Sequence, residues 1–414
     1  MTNHNNVAIT PTKNFPELRF FQFDDNWEKK KLGEIAKISA GATPNTLKKE
    51  YWNGNIRWMN SGELNLKRVY EVENRISTIG LSKSSTKILP KFCVLIGLAG
   101  QGRTRGTVAM NMVELCTNQS IASIFPNDNL FNSDFLYHNL DNRYIELRGL
   151  STGDGGRGGL NLQIIKKIIV NFPSIPEQKR IASFFTVLDK KISEMKQKKN
   201  LLELYKKGVM QKLFSQELRF KDENGKDFPN WDIKKLGSVL MKNSNKNKGQ
   251  NYSLVQSVSN KHGFINQDEM FEDRRIASKD TSNYYVIKKG HFAYNPSRID
   301  VGSLAYKFDD EISIISPLYI SFSAINEMIK DEYLLNWFVT EQFVKQMNRS
   351  FEGSVRNTLS YDSLRKITIT IPCIKEQTKI SQILAAIQDK INLTESQILQ
   401  TGQFKKGLIQ KMLI

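Results

Sequence analysis

The chain repeats itself. Pro-Ser-Ile-Pro-Glu-Gln-Lys-Arg-Ile, starting at Pro173, returns as Pro-Cys-Ile-Lys-Glu-Gln-Thr-Lys-Ile from Pro372, an offset of 372 − 173 = 199 residues. The same offset carries Tyr205-Lys206-Lys207-Gly208-Val209-Met210-Gln211-Lys212-Leu213 onto Phe404-Lys405-Lys406-Gly407-Leu408-Ile409-Gln410-Lys411-Met412 without a gap. A second anchor stands at the other end of the unit. Glu17-Leu18-Arg19-Phe20 recurs as Glu217-Leu218-Arg219-Phe220, followed by Trp27…Lys31-Leu32-Gly33 and Trp231…Lys235-Leu236-Gly237. The middles agree only in outline, Gly106-Thr107-Val108-Ala109 with Gly302-Ser303-Leu304-Ala305 and Arg157-Gly158-Gly159-Leu160 with Arg356-Asn357-Thr358-Leu359. Such a repeat confines the fold to two similar units, and 414 residues suit two domains.

The end of each unit reads as a long helix. Between Glu177 and Phe214 the only interior breaker is Gly208, and apolar residues recur at steps of four and three: Ile181, Phe185, Leu188, Ile192, Met195, then Leu202, Val209 and Leu213. The second copy follows the same register through Ile380, Leu384, Ile387, Ile391, Ile398, Leu408 and Met412. This is a heptad seam, and two helices matched in length and register are expected to pair with each other. Lys206 and Lys405 occupy equivalent seam positions, while Lys199, Thr394 and Thr401 interrupt one helix only. Polar seam residues fix register and partner at some cost in stability. A helix of nearly forty residues spans on the order of 55 Å at about 1.5 Å per residue. Gly208 and Gly407 each cost about 1 kcal/mol relative to Ala in a helix interior; their recurrence points to close approach by another chain or to a kink.

Lysine and arginine outnumber aspartate and glutamate by 60 − 42 = 18, an excess that attracts polyanions and puts nucleic acid first among partners. Cys93, Cys116 and Cys373 are odd in number and widely spaced, so they build neither a disulfide framework nor a CxxC metal site. Met1–Lys13 is polar with no signal-peptide core, and no stretch approaches the roughly 20 apolar residues of a membrane span. The expectation is a soluble cytoplasmic protein.

Catalytic patterns are missing. Asn295-Pro296-Ser297-Arg298 shares its first two residues with the Asn/Asp-Pro-Pro-Tyr/Phe loop of adenine methyltransferases but lacks the second proline and the aromatic. Gly153-Asp154-Gly155-Gly156-Arg157-Gly158-Gly159 has neither the Gly-Lys-Ser/Thr ending of a P-loop nor the strand–GxGxxG–helix context of a dinucleotide site. It reads as a loop at the junction of domain and helix. His4, His138, His262 and His291 lack metal-ligand spacing. The expectation is no catalysis and no metal on this chain.

Taken together, the Trp…Lys-Leu-Gly openings, the Pro-x-Ile-x-Glu-Gln helix starts and the Lys-Lys-Gly-x-x-Gln-Lys helix ends resemble the specificity subunit of type I restriction–modification systems. Tyr51-Trp52-Asn53-Gly54-Asn55-Ile56-Arg57-Trp58 with Ser61-Gly62-Glu63-Leu64-Asn65 resembles a segment frequent in such recognition domains. The resemblance covers essentially the whole chain. It implies an α+β fold: two similar globular target-recognition domains, 15–175 and 217–373, separated by a pair of long antiparallel coiled-coil helices, 176–216 and 374–414, with internal pseudo-two-fold symmetry. It further implies that each domain reads one half of a bipartite site in double-stranded DNA while the helices set the spacer. The implied partners are two methyltransferase (modification) subunits, carrying S-adenosylmethionine, and restriction/translocase subunits using ATP and Mg. A self-sufficient restriction–methylation enzyme would need cofactor-binding segments beyond the second helix, which runs to the end of the sequence. A coiled-coil scaffold or interaction protein without nucleic acid is opposed by the charge balance.

For DNA reading, lysine and arginine supply phosphate contacts, and a few loop side chains read base edges, arginine first because it donates two hydrogen bonds to guanine. Two loops at corresponding places qualify, Arg103, Thr104 and Arg105 in one copy and Asn295, Ser297 and Arg298 in the other. The first is expected between strands Phe92–Leu98 and Thr107–Met112, the second between His291–Tyr294 and Ser303–Phe308. Arg157 and Arg356 form a second corresponding pair; Asn60, Ser61, Lys261, Arg274 and Arg275 complete the candidates. Base flipping is expected of the partner.

Overall fold

The computed structural model describes residues 15–100, 104–150, 159–260, 262–267, 280–352 and 357–414. Two long helices dominate it, Ile175–Phe214 and Ile374–Met412. Each begins with a carboxylate in its first turn, Glu177 or Glu376, and ends with a lysine in its last, Lys212 or Lys411, the charge order that complements the helix dipole. Pro176 sits in the first turn, where its missing N–H leaves no ladder bond unmade. All the apolar seam residues named above are buried or half-buried, as are Lys199, Lys206, Thr394, Thr401 and Lys405 at the same steps.

The chain forms two compact units, one of Met1–Lys196 with Glu395–Ile414, the other of Gln197–Thr394. Each unit therefore holds the start of one long helix and the end of the other. In the first, Ile181 and Phe185 share a core with Ile409, Met412 and Leu413. In the second, Ile380 and Leu384 share a core with Leu213, Val209 and Met210. Start against end means that the two helices run antiparallel within each unit.

The middles, so different in sequence, have one topology. The first unit has a sheet in which Ile38–Ala40, Ile121–Ile124, Val94–Gly97 and Val108–Asn111 are neighbours in that order, with Arg68–Val69 added parallel at the edge. In the second the order is Leu240–Lys242, Ile320–Ala324, His291–Tyr294 and Leu304–Tyr306, all antiparallel. The companion sheets agree as well: Trp52–Met59 pairs antiparallel with Asn74–Ile76 and parallel with Cys116–Thr117, as Val255–Ser259 does with Gly263–Asn266 and Ser313–Ile315.

The repeated motifs turn out to form a frame around these sheets. In the openings, Trp27 and Leu32 are buried in the first core and Trp231 and Leu236 in the second. Glu28–Lys31 runs antiparallel to Ile169–Phe172 and Asp232–Lys235 to Thr368–Ile371, so the opening is stitched to the strand before the helix start. The glycine of each opening is required by proximity: a Cβ on Gly33 would stand 2.8 Å from Lys166 Cβ, and one on Gly237 2.9 Å from Arg365 Cβ.

The Glu-Gln pair at each helix start ties the frame together. Glu177, fully buried, accepts two 2.7 Å bonds from the Arg19 guanidinium. Glu376, also fully buried, accepts from Arg219 at 3.1 and 2.8 Å and from Trp231 Nε1 at 3.0 Å. Gln178 donates to Pro173 O and accepts from the Asn132 N–H; Gln377 donates to Pro372 O and accepts from the Lys330 N–H. The segment carrying each arginine is bonded in turn to a helix end, Leu18 N–H to Lys411 O and Leu218 N–H to Lys212 O. Removing one partner of a buried ion pair costs about 3–5 kcal/mol. Glu177→Gln and Glu376→Gln are each expected to lower the melting temperature by on the order of 10 °C, measured by thermal unfolding, with Glu376→Gln also disturbing the Trp231 environment in the fluorescence spectrum.

Candidate nucleic-acid interface

In each unit one hairpin, of the five-stranded sheet in the first and of a four-stranded sheet in the second, ends in the loop that carries candidate residues. The flanking strands are Val94–Gly97 with Val108–Asn111, and His291–Tyr294 with Leu304–Tyr306, within a residue or two of the sequence expectation. The last ladder bonds match, Gly97 N–H to Thr107 O at 2.9 Å and Asn295 N–H to Ser303 O at 3.1 Å. Both loops turn back on a left-handed glycine, Gly106 with φ +77° and Gly302 with φ +87°. An L side chain is strained in that conformation.

Each hairpin is then fastened to the chain just ahead of a short helix. Leu160 N–H donates to Leu98 O at 2.9 Å, and Leu359 N–H donates to Pro296 O at 3.0 Å. Asn161 caps the helix Leu162–Lys167, and Ser360 caps Tyr361–Leu364. Leu98 and Pro296 thus meet Leu160 and Leu359 in the two units, although 60 or so residues separate the partners in sequence.

Among the candidates, Arg298 is exposed and makes no side-chain ion pair among the described residues, and Ser297 is exposed beside it. Asn295 folds the loop on itself, its Oδ1 accepting from Ser297 N–H at 3.0 Å. Thr104 is half-buried and donates to Ala99 O at 3.2 Å. Arg105 is 8 % exposed, so it is withdrawn from the solvent-facing set by burial in its turn. Asn60 acts as a helix cap, its Oδ1 accepting from Gly62 N–H at 2.8 Å, while Glu63 Oε2 accepts from Asn60 N–H at 2.9 Å. Ser61 opens that same turn. Arg103, Arg157, Lys261, Arg274, Arg275 and Arg356 lie outside the described residues.

Two cationic groups escaped the sequence reading. Arg57 and Arg75 are directly opposite on paired strands, a like-charge arrangement that costs stability unless bridged. Glu71 bridges it, accepting from Arg57 at 3.2 Å and Arg75 at 2.5 Å. The Val72 N–H and these two guanidiniums hold its carboxyl down at about 2. No local pattern announces a contact between positions 57, 71 and 75. The second group is duplicated. Lys166, in the basic last turn Lys166–Lys167 of its short helix, packs on Gly33 two residues after Lys31, and Arg365, next to Lys366, packs on Gly237 two residues after Lys235. In the second unit they border a cleft that also includes Asp362. Conversely, Lys307 is lost to the surface: fully buried, it donates to Gln256 at 2.9 Å and pairs with Asp309 at 2.8 Å.

No cluster of three metal-ligating side chains occurs among the described residues, and no described helix is long and apolar enough to cross a membrane. The decisive observation is a match in duplicate: the type I restriction modification DNA specificity domain matches residues 24–204 and again 229–401. The chain belongs to this family. It is a specificity subunit with two target-recognition domains, and it is not itself an enzyme.

The similarity to relatives spans either nearly the whole chain or less than half of it. The chain is 24 % identical over 419 residues to the type I restriction enzyme MjaIX specificity subunit of Methanocaldococcus jannaschii, covering 96 % of this chain and 95 % of that one. It is 28 % identical over 176 residues to the EcoR124I/EcoR124II specificity subunit of Escherichia coli, 42 % of each chain. The S subunit of a type I system from M. genitalium has the same fold, with a TM-score of 0.58 at 16 % identity over 97 % of this chain and 99 % of that one.

The two loop glycines give a graded test of the specificity subunit's hairpins. A Cβ on Gly302 meets nothing closer than 3.7 Å, whereas one on Gly106 stands 3.0 Å from the Arg148 backbone nitrogen. Gly302→Val is expected to cost roughly 1–2 kcal/mol through its backbone alone, Gly302→Asn less, and Gly106→Val most. Thermal unfolding of the three variants checks the order.

Proposed function

We propose that each recognition domain reads one half of a bipartite site in double-stranded DNA, and that the helix pair sets the unspecified spacer and docks two modification subunits. Those subunits bind S-adenosylmethionine and methylate adenine; restriction subunits using ATP and Mg complete a cytoplasmic complex. The observation that carries this reading is the duplicated fastening of hairpin loop to pre-helix segment, by Leu160 on Leu98 and Leu359 on Pro296. A common frame thereby presents different loops in equivalent places.

The excess of cations supplies sequence-independent phosphate contacts, whose release of counterions makes affinity fall steeply with salt. Lys31, Lys166, Lys167, Lys235, Arg365 and Lys366 suit that work, being repeated with the frame. Arg298 and the Arg57–Glu71–Arg75 group suit base reading, since a guanidinium held in place loses less freedom on contact.

The methylated motif of genomic DNA is expected to be bipartite, and exchange of residues 15–172 for those of a relative should alter one half only. A change in both halves overturns modular reading. Gel shift of the complex with the modification subunit at two salt concentrations should show binding that weakens with salt; absent or salt-insensitive binding overturns DNA reading.

The recurring helix glycines bear on docking. A Cβ at Gly208 or Gly407 would meet nothing within 4 Å, so nothing described in the chain itself demands them. Beside Gly208 a cavity of ≈ 690 Å³ opens, lined by Met210, Gln211, Phe214 and Val339 among others. Gly208→Ala is expected to stabilise the isolated chain by about 1 kcal/mol and to weaken capture of the modification subunit, read by thermal unfolding and by co-purification.

A further inference from the structure

The helix pair carries a polar contact in each unit. In the first, Lys405 Nζ lies 2.5 Å from Asp189 Oδ1, with the lysine 15 % and the aspartate 29 % exposed. In the second, Lys206 Nζ donates to Gln388 Oε1 at 2.8 Å. These are the same contact repeated, since Lys206 and Lys405, and Asp189 and Gln388, each differ by the repeat offset of 199. The step from Asp189 to Lys206 along one helix and from Lys405 back to Gln388 along the other is 17 residues in both cases. In each contact a seam lysine meets the residue that follows an apolar seam residue in sequence, Asp189 after Leu188 and Gln388 after Ile387. Burial holds the Lys206 amine below its usual range, so that lysine needs an acceptor where it stands.

Apolar seams tolerate a slip of one heptad, because the next turn offers another apolar residue. The polar contact does not. A slip of seven residues either way would set Lys405 against Ala182 or Lys196 instead of Asp189: no acceptor in one case, a like charge in the other. Lys206 would meet Ser381 or Glu395, a weaker discrimination. The first-unit pair is therefore the selective one.

It also lies close to the wall of its recognition domain. His138 Nδ1 lies 3.8 Å from Asp189 Oδ2, and His138 Nε2 lies 3.5 Å from Arg68 Nη2 and from Thr186 Oγ1. Burial first, then the charges of Lys405 and Arg68, push the imidazole well below its ordinary range, leaving Lys405 as the charge partner of Asp189. Arg68 bonds Asp134 and lies 4.4 Å over the Tyr137 ring. At the corresponding positions the second unit has Leu335, Asn336 and Ala385 in place of Tyr137, His138 and Thr186. The imidazole and the phenol at these positions thus have no counterpart in the second copy.

We infer that Asp189 and Lys405, seconded by Lys206 and Gln388, set the register of the helix pair and so fix the single spacer length that the subunit accepts. This rests on the reading in which the helices set the spacer. One heptad is about 10 Å of helix, or about three base-pair steps of 3.4 Å. Loss of the register pair is thus read out as tolerance of spacers changed by one to three base pairs.

The test uses the reconstituted methyltransferase complex and a set of DNA duplexes in which both half-sites are constant and the spacer varies by single base pairs. Wild type is expected to favour one spacer by roughly ten-fold or more, the scale of losing one specific base pair. Asp189→Leu with Lys405→Leu, an apolar replacement of the kind that is often neutral or stabilising, should fold and reduce that preference to two-fold or less, with both half-sites unchanged. The conservative pair Asp189→Glu with Lys405→Arg, which still meets Ala182 or Lys196 on a slip, should keep it. A double-leucine complex that still accepts one spacer only, or a Glu–Arg pair that leaves tolerance broad, overturns the inference. A wild-type complex with no spacer preference refutes instead the reading on which it rests.

Discussion

A glutamate with no exposed surface stands at the start of each long helix, and the frame depends on what satisfies it. Glu177 receives both arms of the Arg19 guanidinium, and Glu376 receives Arg219 and the Trp231 indole. A buried carboxylate is costly unless paired and fully hydrogen-bonded, so the arginine has to be present, and it arrives on an opening segment more than 150 residues away. That segment is bonded to a helix end. One buried group thereby brings together the beginning of a unit, the start of one long helix and the end of the other. Gln178 and Gln377 extend the tie to the domain by capping the backbone at Asn132 and Lys330.

The residues that repeat in sequence are the ones that build this frame. Trp27 and Trp231 fill cores; Gly33 and Gly237 let a short helix pass within contact distance; Leu32 and Leu236 are wholly buried. Between these repeated residues the frame holds loops of different sequence at equivalent places. The equal fastening of Leu160 and Leu359 shows how a variable hairpin is returned each time to the same anchor.

The first and second units are nonetheless unequal where the helices meet them. Asp189 with Lys405 is an ion pair backed by His138 and Arg68, whereas Gln388 with Lys206 is a single neutral acceptor. Apolar packing holds both ends, and in the first unit an ion pair is added to it.

Much was legible in the sequence, and the boundary is physical. The 199-residue repeat, the heptad steps and the Gly and Pro motifs are local or periodic signals, so they determined two units, two long helices of matching register and the hairpins flanking the candidate loops. Even the strands around Asn295–Arg298 could be placed to within two residues. Only the tertiary structure decided that Arg105 is buried, that Asn60 caps a turn, that Lys307 is sealed inside and that Arg57 and Arg75 share Glu71. It alone decided that each compact unit takes the start of one helix with the end of the other. Those outcomes depend on which residues distant in sequence become neighbours, and burial and pairing of charge are properties of neighbours in space, which carry no period along the chain.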